Sequence, residues 1–512
     1  MRKNSIILIL ILSTFFCKAQ ETYWVFFTDK NETGFNPYSY FSDKAIERRQ
    51  KQNLPLFDYT DLPINQKYVK KVQETGAHTD VQLRWFNAVY TIATDEQILS
   101  IEKLPFVKET KPVAVRKMTL AKHEAENINE DNQFLLDQQI KSLEGNQFIN
   151  SNITGKGIRV AIFDAGFPSV DHHEAFAHIR NDDRIIATWD FVKNKEFVYD
   201  YNSHGTTVMS CIGGKINDQN IGLATGAEFL LARTEKATEP LSEEKNWLAA
   251  VEWADKNGAD IINSSLGYTF HRYFRSDMDG KTSLVVKAAN LAASKGILVV
   301  NALGNDGDSK WKMLGTPADA DSILSIGGTD PYTGIKISFS SYGPTASGKL
   351  KPNVSAHAHV YAANKSSYSE TYGTSFSSPL VAGFAACAWE TRPNITNMEL
   401  FDVIQQSGSL YPYFDYVHGY GNPQASYFLD GKSPEKKYFT IVEEEEDIKV
   451  EILEFPKGEK YLYYHIEGQD GILKVYKVIE MDGAKEIEIP VNKYKPGVLR
   501  VHIGSQTESI EL

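Results

Sequence analysis

From residue 158 to residue 303, short continuous apolar runs alternate with longer stretches whose apolar positions recur at helical spacing. Ile158–Phe163, the run around Leu230, the run opening at Asp260 and the run opening at Ile297 read as strands covered on both faces, which show no polar alternation. Lys245–Lys256 and Leu284–Ser294 read as helices between them. This alternation predicts an α/β architecture, a doubly wound parallel sheet with helices on both faces. In such sheets ligands bind at the carboxyl ends of the strands.

The flanking regions follow other periods. Upstream, Tyr23–Phe27 reads as a strand, Leu83–Ala93 as a second and Pro105–Lys108 as part of a third. Thr94-Asp95-Glu96-Gln97 is a capping-box start for a helix reaching about Glu102, which completes a small α+β pattern. Residues 118–137 turn polar and acidic and read as an exposed linker, with an amphipathic helix as the alternative. Downstream of Gly419-Tyr420-Gly421-Asn422-Pro423 and a second linker at 430–435, the pattern becomes period two. Tyr438–Val442, Ile448–Leu453, Lys460–Glu467, Leu473–Ile479, Glu486–Ile489 and Gly497–Ile503 are short strands divided by Gly and Pro, predicting a small all-β sandwich over 436–512. The acidic run Glu443–Asp447 reads as a solvated loop.

Length and charge narrow the function classes. The 512 residues exceed one ordinary domain. With 66 acidic against 54 basic residues, a net charge of −12 and no Lys/Arg-rich run, nucleic-acid binding is disfavoured. Basic Met1-Arg2-Lys3-Asn4, an apolar run from Ile6 to Phe16 and Cys17-Lys18-Ala19-Gln20 predict a secretory signal over 1–20, too short to span a membrane, and hence a secreted or cell-surface protein. Bulky Phe16 argues against lipidation of Cys17. The other two cysteines, Cys211 and Cys387, make no disulfide framework and read as buried thiols, with a single bridge as the alternative. No Cys/His cluster has zinc spacing.

Four segments carry chemistry. Gly373-Thr374-Ser375-Phe376-Ser377-Ser378-Pro379 places Ser375 among small residues at the mouth of an apolar helix, where unpaired N–H groups and the positive dipole end favour a developing anion. The strand Ile158–Phe163 delivers Asp164 at its carboxyl end, and His204-Gly205-Thr206 opens another helix. Taken singly, each is as well explained by a cap, a turn or a structural residue. Together the chain order is Asp, His, Ser, one of the orders in which catalytic triads occur. Asn305 follows an apolar strand in Gly304-Asn305-Asp306-Gly307, where its amide would face the sheet edge.

Through Ala161-Ile162-Phe163-Asp164-Ala165-Gly166, His204-Gly205-Thr206, Asn305 and Gly373-Thr374-Ser375, the chain resembles the subtilisin-like serine proteases (peptidase family S8). The resemblance implies a secreted serine endopeptidase with Ser375 as nucleophile, His204 as general base, Asp164 as its orienting partner and Asn305 in the oxyanion hole. It implies that Ser265, Leu266, Gly267, Gly304 and Gly315 bind substrate, with small residues leaving room for a sizeable apolar P1 side chain. It also implies a propeptide over 21–117 that inhibits the enzyme until removed, a catalytic domain over 138–430 and a mature start near 129–139. No cofactor or metal is implied for the chemistry, and structural calcium is left open. The segment Leu473–Ile503 looks like sorting domains of Bacteroidota type IX export, whose machinery would then be a partner; an accessory substrate-binding module is the other reading, since Ile510-Glu511-Leu512 departs from that pattern. Two rival functions are a catalytically dead binding or adhesion protein, and a sedolisin-type protease with an acidic base, against which His204 argues.

Overall fold

The computed structural model describes residues 20–113, 130–236, 242–270, 272–429, 436–444 and 447–512. The signal segment up to residue 19, most of the acidic linker and the linker at 430–435 lie outside the described residues. Two compact units are formed, Met1–Phe35 with Tyr59–Ala114, and Asn36–Asp58 with Val115–Leu512.

The first unit opens on β1 (Glu21–Phe27). Helices α1 (Pro37–Tyr40) and α2 (Asp43–Lys51) then occupy the excursion assigned to the second unit. The chain returns through α3 (Gln66–Gln73), β2 (His78–Leu83), β3 (Ala88–Ala93), α4 (Asp95–Ile101) and β4 (Val107–Pro112). The strands form an antiparallel sheet in the order β2-β3-β1-β4. Tyr23, Val25 and Phe27, alternate residues of β1, pack with Val69 and Val72 of α3 and Ile98 and Ile101 of α4. Thr94 makes the expected capping box. The stretch read as one strand from Leu83 to Ala93 is instead the end of β2, a turn and β3. Trp85 and Phe86 carry the apolar run through the turn at 84–87, whose break is marked by Asn87 at φ 50°.

The second unit begins with α5 (Glu130–Lys141), α6 (Asn146–Asn150), β5 (Arg159–Asp164), α7 (Ala177–Asn181) and β6 (Ile185–Asp190). Next come α8 (His204–Gly213), the short pair β7 (Lys215–Ile216) and β8 (Gln219–Asn220), and β9 (Glu228–Arg233). They are followed by α9 (Ser242–Lys256), β10 (Ile261–Ser264), α10 (Leu284–Ser294), β11 (Leu298–Ala302), β12 (Leu324–Thr329) and β13 (Val354–His357). A hairpin of β14 (His359–Ala363) and β15 (Tyr368–Tyr372) leads into α11 (Thr374–Thr391), then α12 (Asn397–Gln406) and α13 (Ser426–Leu429). Seven strands make a parallel sheet in the order β13-β12-β11-β10-β5-β9-β6. Helix α11 packs on β10 to β13 and on α8, while α9 and α10 pack on β5 and β11 and on each other, so both faces are covered.

The acidic stretch ends earlier than its composition suggests. From Glu130 it is helical, and Asn132, Leu135 and Leu136 are buried, the two leucines in the core of the catalytic unit. Gln139 fixes the helix, donating from Nε2 to Ile221 O at 2.7 Å and accepting from Tyr361 N at 3.1 Å. Residues 130–137, placed in the linker by their composition, therefore belong to α5. Asp131, Gln133 and Asp137 are exposed while Leu135, Leu136 and Ile140 carry the packing.

The C-terminal strands are β16 (Phe439–Glu443), β17 (Asp447–Ile452), β18 (Tyr461–Gly468), β19 (Leu473–Glu480), β20 (Glu486–Pro490), β21 (Gly497–Ile503) and β22 (Gln506–Glu511). They form antiparallel sheets β16-β17-β20 and β19-β18-β21-β22 around one apolar core; the last strand is an addition to those expected. This module is seated on the segment 410–420. Tyr413 packs with Tyr463 and stacks on His465, His465 Nδ1 bonds to Phe414 O, and Arg500 donates to Pro412 O at 3.1 Å.

Candidate active site

Asp164 ends β5 and is fully buried. It keeps its orientation because Oδ1 accepts from Ala165 N at 2.7 Å. His204 is the first residue of α8, its N–H held by Asn202 Oδ1 at 2.9 Å. Its Nδ1 lies 2.9 and 3.0 Å from the two Asp164 oxygens. Burial of the imidazole works against its charged form, but the adjacent Asp164 carboxylate outweighs that, and the His204 pKa is raised above its ordinary 6.5. An imidazole with Nδ1–H donated to a carboxylate presents Nε2 as the free base.

Ser375 is the second residue of α11, entered through Gly373 at φ 145°. Pro379 stands four residues on and has no N–H, so the helix cannot satisfy Ser375 O. Ser265 Oγ takes that place, donating to Ser375 O at 2.9 Å, while the Ser375 hydroxyl donates to Ser265 O at 3.2 Å. Asn263 Nδ2 donates to Ser265 Oγ at 3.2 Å, and Ser378 Oγ donates to Asn263 Oδ1 at 2.9 Å.

Asn305 stands just after β11. Its Oδ1 accepts from Thr374 N at 2.9 Å and Thr374 Oγ1 at 3.0 Å. Thr374 Oγ1 in turn accepts from Gly304 N at 3.2 Å. With the carbonyl side so engaged, the two donors of Nδ2 are directed away from Thr374 and remain available for an oxyanion; the hydrogen bonds fix which end is nitrogen.

The residues expected to bind substrate are brought together. Leu266 O accepts from Asn301 Nδ2 at 2.9 Å, Gly315 N donates to Leu303 O at 3.2 Å, and Tyr268 and Thr316 exchange N–H···O bonds of 2.8 and 3.0 Å. Segments 265–268, 303–305 and 314–316 are thus tied to one another. A Cβ at Gly267 would meet nothing within 4 Å, whereas one at Gly315 would come within 2.9 Å of Thr269 Cγ2. Gly304 adopts φ 118°, which only glycine takes readily. Thr374, Asn263 and Ser378 were not singled out by the sequence reading. Thr374 and Ser378 were within its motif as small neighbours, with no signal for their role; Asn263 showed only as a polar residue inside an apolar strand.

Residues 155–421 match the subtilase family of peptidases, which is more than half of the chain. The chain belongs to the subtilase family. It is a subtilisin-like serine endopeptidase, and residues 22–131 match the peptidase S8 propeptide domain of Bacteroidota. This subtilase is 30% identical over 273 residues to a thermostable alkaline protease of Halalkalibacterium halodurans, covering 53% of the chain and 67% of the relative. It is 30% identical over 244 residues to subtilisin DY of Bacillus licheniformis, covering 47% and 80%, and 26% identical over 360 residues to subtilisin E of Bacillus subtilis, covering 69% and 84%. Among the subtilase's described residues no group of three or more His, Cys, Asp or Glu is placed to hold a metal ion, and no helix is long and apolar enough to cross a membrane. Cys211 and Cys387 are free and buried, not bridged.

Proposed function

We propose that this protease cuts peptide bonds through Asp164, His204 and Ser375, and is made as a zymogen for export. The observation that carries the reading is a pair of fixed groups set against the two chain neighbours of Ser375: an imidazole braced on both oxygens of a buried carboxylate, its ring 5.3 Å from that of Phe376, and an Asn305 amide turned by Thr374. The Ser375 hydroxyl rotates from Ser265 O towards His204 Nε2 and attacks the scissile carbonyl as His204 takes its proton. Asp164 holds the tautomer and stabilises the imidazolium. Asn305 Nδ2 and the Ser375 N–H receive the oxyanion, and His204 returns the proton to the leaving amine. Water repeats the sequence on the acyl-enzyme.

Extended substrate pairs with Ser265, Leu266 and Gly267, and its P1 side chain, large and apolar, enters between Gly304 and Gly315. The residues up to about 117 act as an intramolecular inhibitor, the segment 1–20 as the export signal. The seating of the C-terminal sandwich on residues 410–420 favours an accessory module over a detachable sorting tag. A fluorophosphonate probe tests the core of this reading. Processed wild-type protein is labelled once per chain and the Ser375→Ala protein is not; an unlabelled wild type, or a labelled variant, defeats it.

A further inference from the structure

We infer that residues 36–58, although they lie within the propeptide sequence, stay on the active enzyme as a non-covalent clasp across the back of the catalytic domain. This excursion is part of the catalytic unit, not of the unit formed by the rest of the propeptide. It rests on the proposed removal of the propeptide by cleavage upstream of α5.

Helices α9 and α10 end side by side, at Lys256 and Ser294. Each C-terminus leaves carbonyls that the helix cannot pair and carries the negative end of a macrodipole. Asp255 adds a full negative charge there and is buried. The excursion brings two buried guanidiniums to this place. Arg48 donates to Asp255 Oδ1, Ala259 O and Lys295 O, and Arg49 to Asp255 Oδ2 at 2.7 Å. A guanidinium meets a carboxylate and two carbonyls with five donors held in one rigid planar fork, where a lysine offers three on a flexible stem. The contact continues on both sides. Gln52 donates to Gly296 O at 2.8 Å and accepts from Asn397 N at 3.1 Å, so it also closes the start of α12. Lys44 reaches Gly157 O at 2.6 Å and Asp260 at 3.1 Å.

Gly157, Asp260 and Gly296 precede β5, β10 and β11, so the clasp grips the amino edge of the sheet. Asp164 lies at the opposite end of β5, six residues or roughly 20 Å away at strand rise. The clasp therefore holds without occupying the groove where substrate binds, and an enzyme wearing it remains open to substrate. The bonds named above run from residues 44–52 to residues 157–397, so a cut within 114–129 leaves each of them intact. A further cut near residues 31–35 and another near 59–63 would free the remainder of the propeptide and leave the clasp in place.

Peptide mapping of the processed enzyme, purified under native conditions and hydrolysing a peptide substrate, is expected to recover residues 36–58 at one copy per catalytic chain. Active enzyme without that segment overturns the inference. A second measurement is independent of activity. In the Ser375→Ala full chain, a site for an added sequence-specific protease is placed between 118 and 128, and release of the N-terminal fragment is followed by gel filtration. Arg48→Ala/Arg49→Ala is expected to speed release at least about 30-fold, the scale of removing one side of a buried hydrogen-bonded charge pair, and Arg48→Lys/Arg49→Lys to fall between. Equal release rates for the Ala pair and the unaltered Arg pair overturn the anchoring role. Because this arm needs no active serine, a wrong assignment of Ser375 would show in the labelling experiment and not here.

Discussion

Replacing Thr374 by Val removes one hydroxyl without opening a cavity, and it isolates what holds the oxyanion donor. Thr374 Oγ1 supplies one of the two bonds on Asn305 Oδ1, at 3.0 Å, and is the acceptor for Gly304 N at 3.2 Å. The other bond, from Thr374 N at 2.9 Å, is backbone and survives. A neutral hydrogen bond contributes about 1 kcal/mol net, and a donor left unpaired adds to the loss. The ceiling is the loss of the whole amide, roughly 3 to 4 kcal/mol, a value that comes from subtilisin itself. Losing half of the bracing should raise the barrier by about 1 to 2 kcal/mol, or roughly 5- to 30-fold in kcat, with KM within about twofold. Steady-state kinetics on a peptide anilide measures this in Thr374→Val, Asn305→Ala and the double variant. The substitution should have less than about a twofold effect once Asn305 is Ala, since nothing is left to orient. An equal loss in both backgrounds, or a change confined to KM, refutes the reasoning.

Other outcomes follow from the same geometry. In the proposed mechanism the neutral form of His204 is the base, and its pKa is raised, so kcat/KM should climb with pH through a midpoint above 6.5; Asp164→Asn should move that midpoint down and lower kcat by roughly 10⁴, and an unmoved midpoint counts against the pair. For stability the sign is opposite: the pair's contribution is full below pH 6.5 and is lost as pH rises through the raised value. His357, His465 and His502 are buried and pushed down to about 4, so they favour the fold fully above pH 6.5 and progressively less towards pH 4. At 1.36 kcal/mol per pH unit each accounts for roughly 3 kcal/mol, and urea unfolding at pH 7 and pH 4.5 should differ by several kcal/mol; equal stabilities contradict this. Burial pushes the Cys211 thiol up to about 12 and Cys387 also upward, so native enzyme should not react with a disulfide reagent until it is unfolded, and rapid native labelling overturns that.

How legible the molecule was depended on whether a residue announced itself through pattern. Asp164 ends and Asn305 follows a largely apolar strand, and His204 and Ser375 stand at the starts of helices with distinct residue patterns, so both location and chain order were readable. The groove segments were readable as resemblance, since small residues at 265–267 and 315 carry little signal alone. The turn at 84–87 was hidden because Trp85 and Phe86 continue the apolar run. Residues 130–137 were taken for linker because two buried leucines are outnumbered by polar neighbours. Thr374 and Ser378 act through hydrogen bonds to residues distant in the chain, 69 and 115 positions away, and no local pattern records such a pairing. The excursion over 36–58 was invisible for the same reason: Arg48 and Arg49 read as surface charges until Asp255 is placed beside them.

Pro379 has a consequence for anyone who recombines this protein with its relatives. Because the proline leaves Ser375 O to be claimed by Ser265, the piece proposed to read substrate and the piece proposed to carry the nucleophile are not interchangeable parts. A chimera that imports a new 263–267 loop without its matching 373–379 turn would exchange specificity and damage turnover together. The unit of transplantation is the pair, separated by more than a hundred residues of chain and joined by the hydroxyls of Ser265, Ser375 and Ser378.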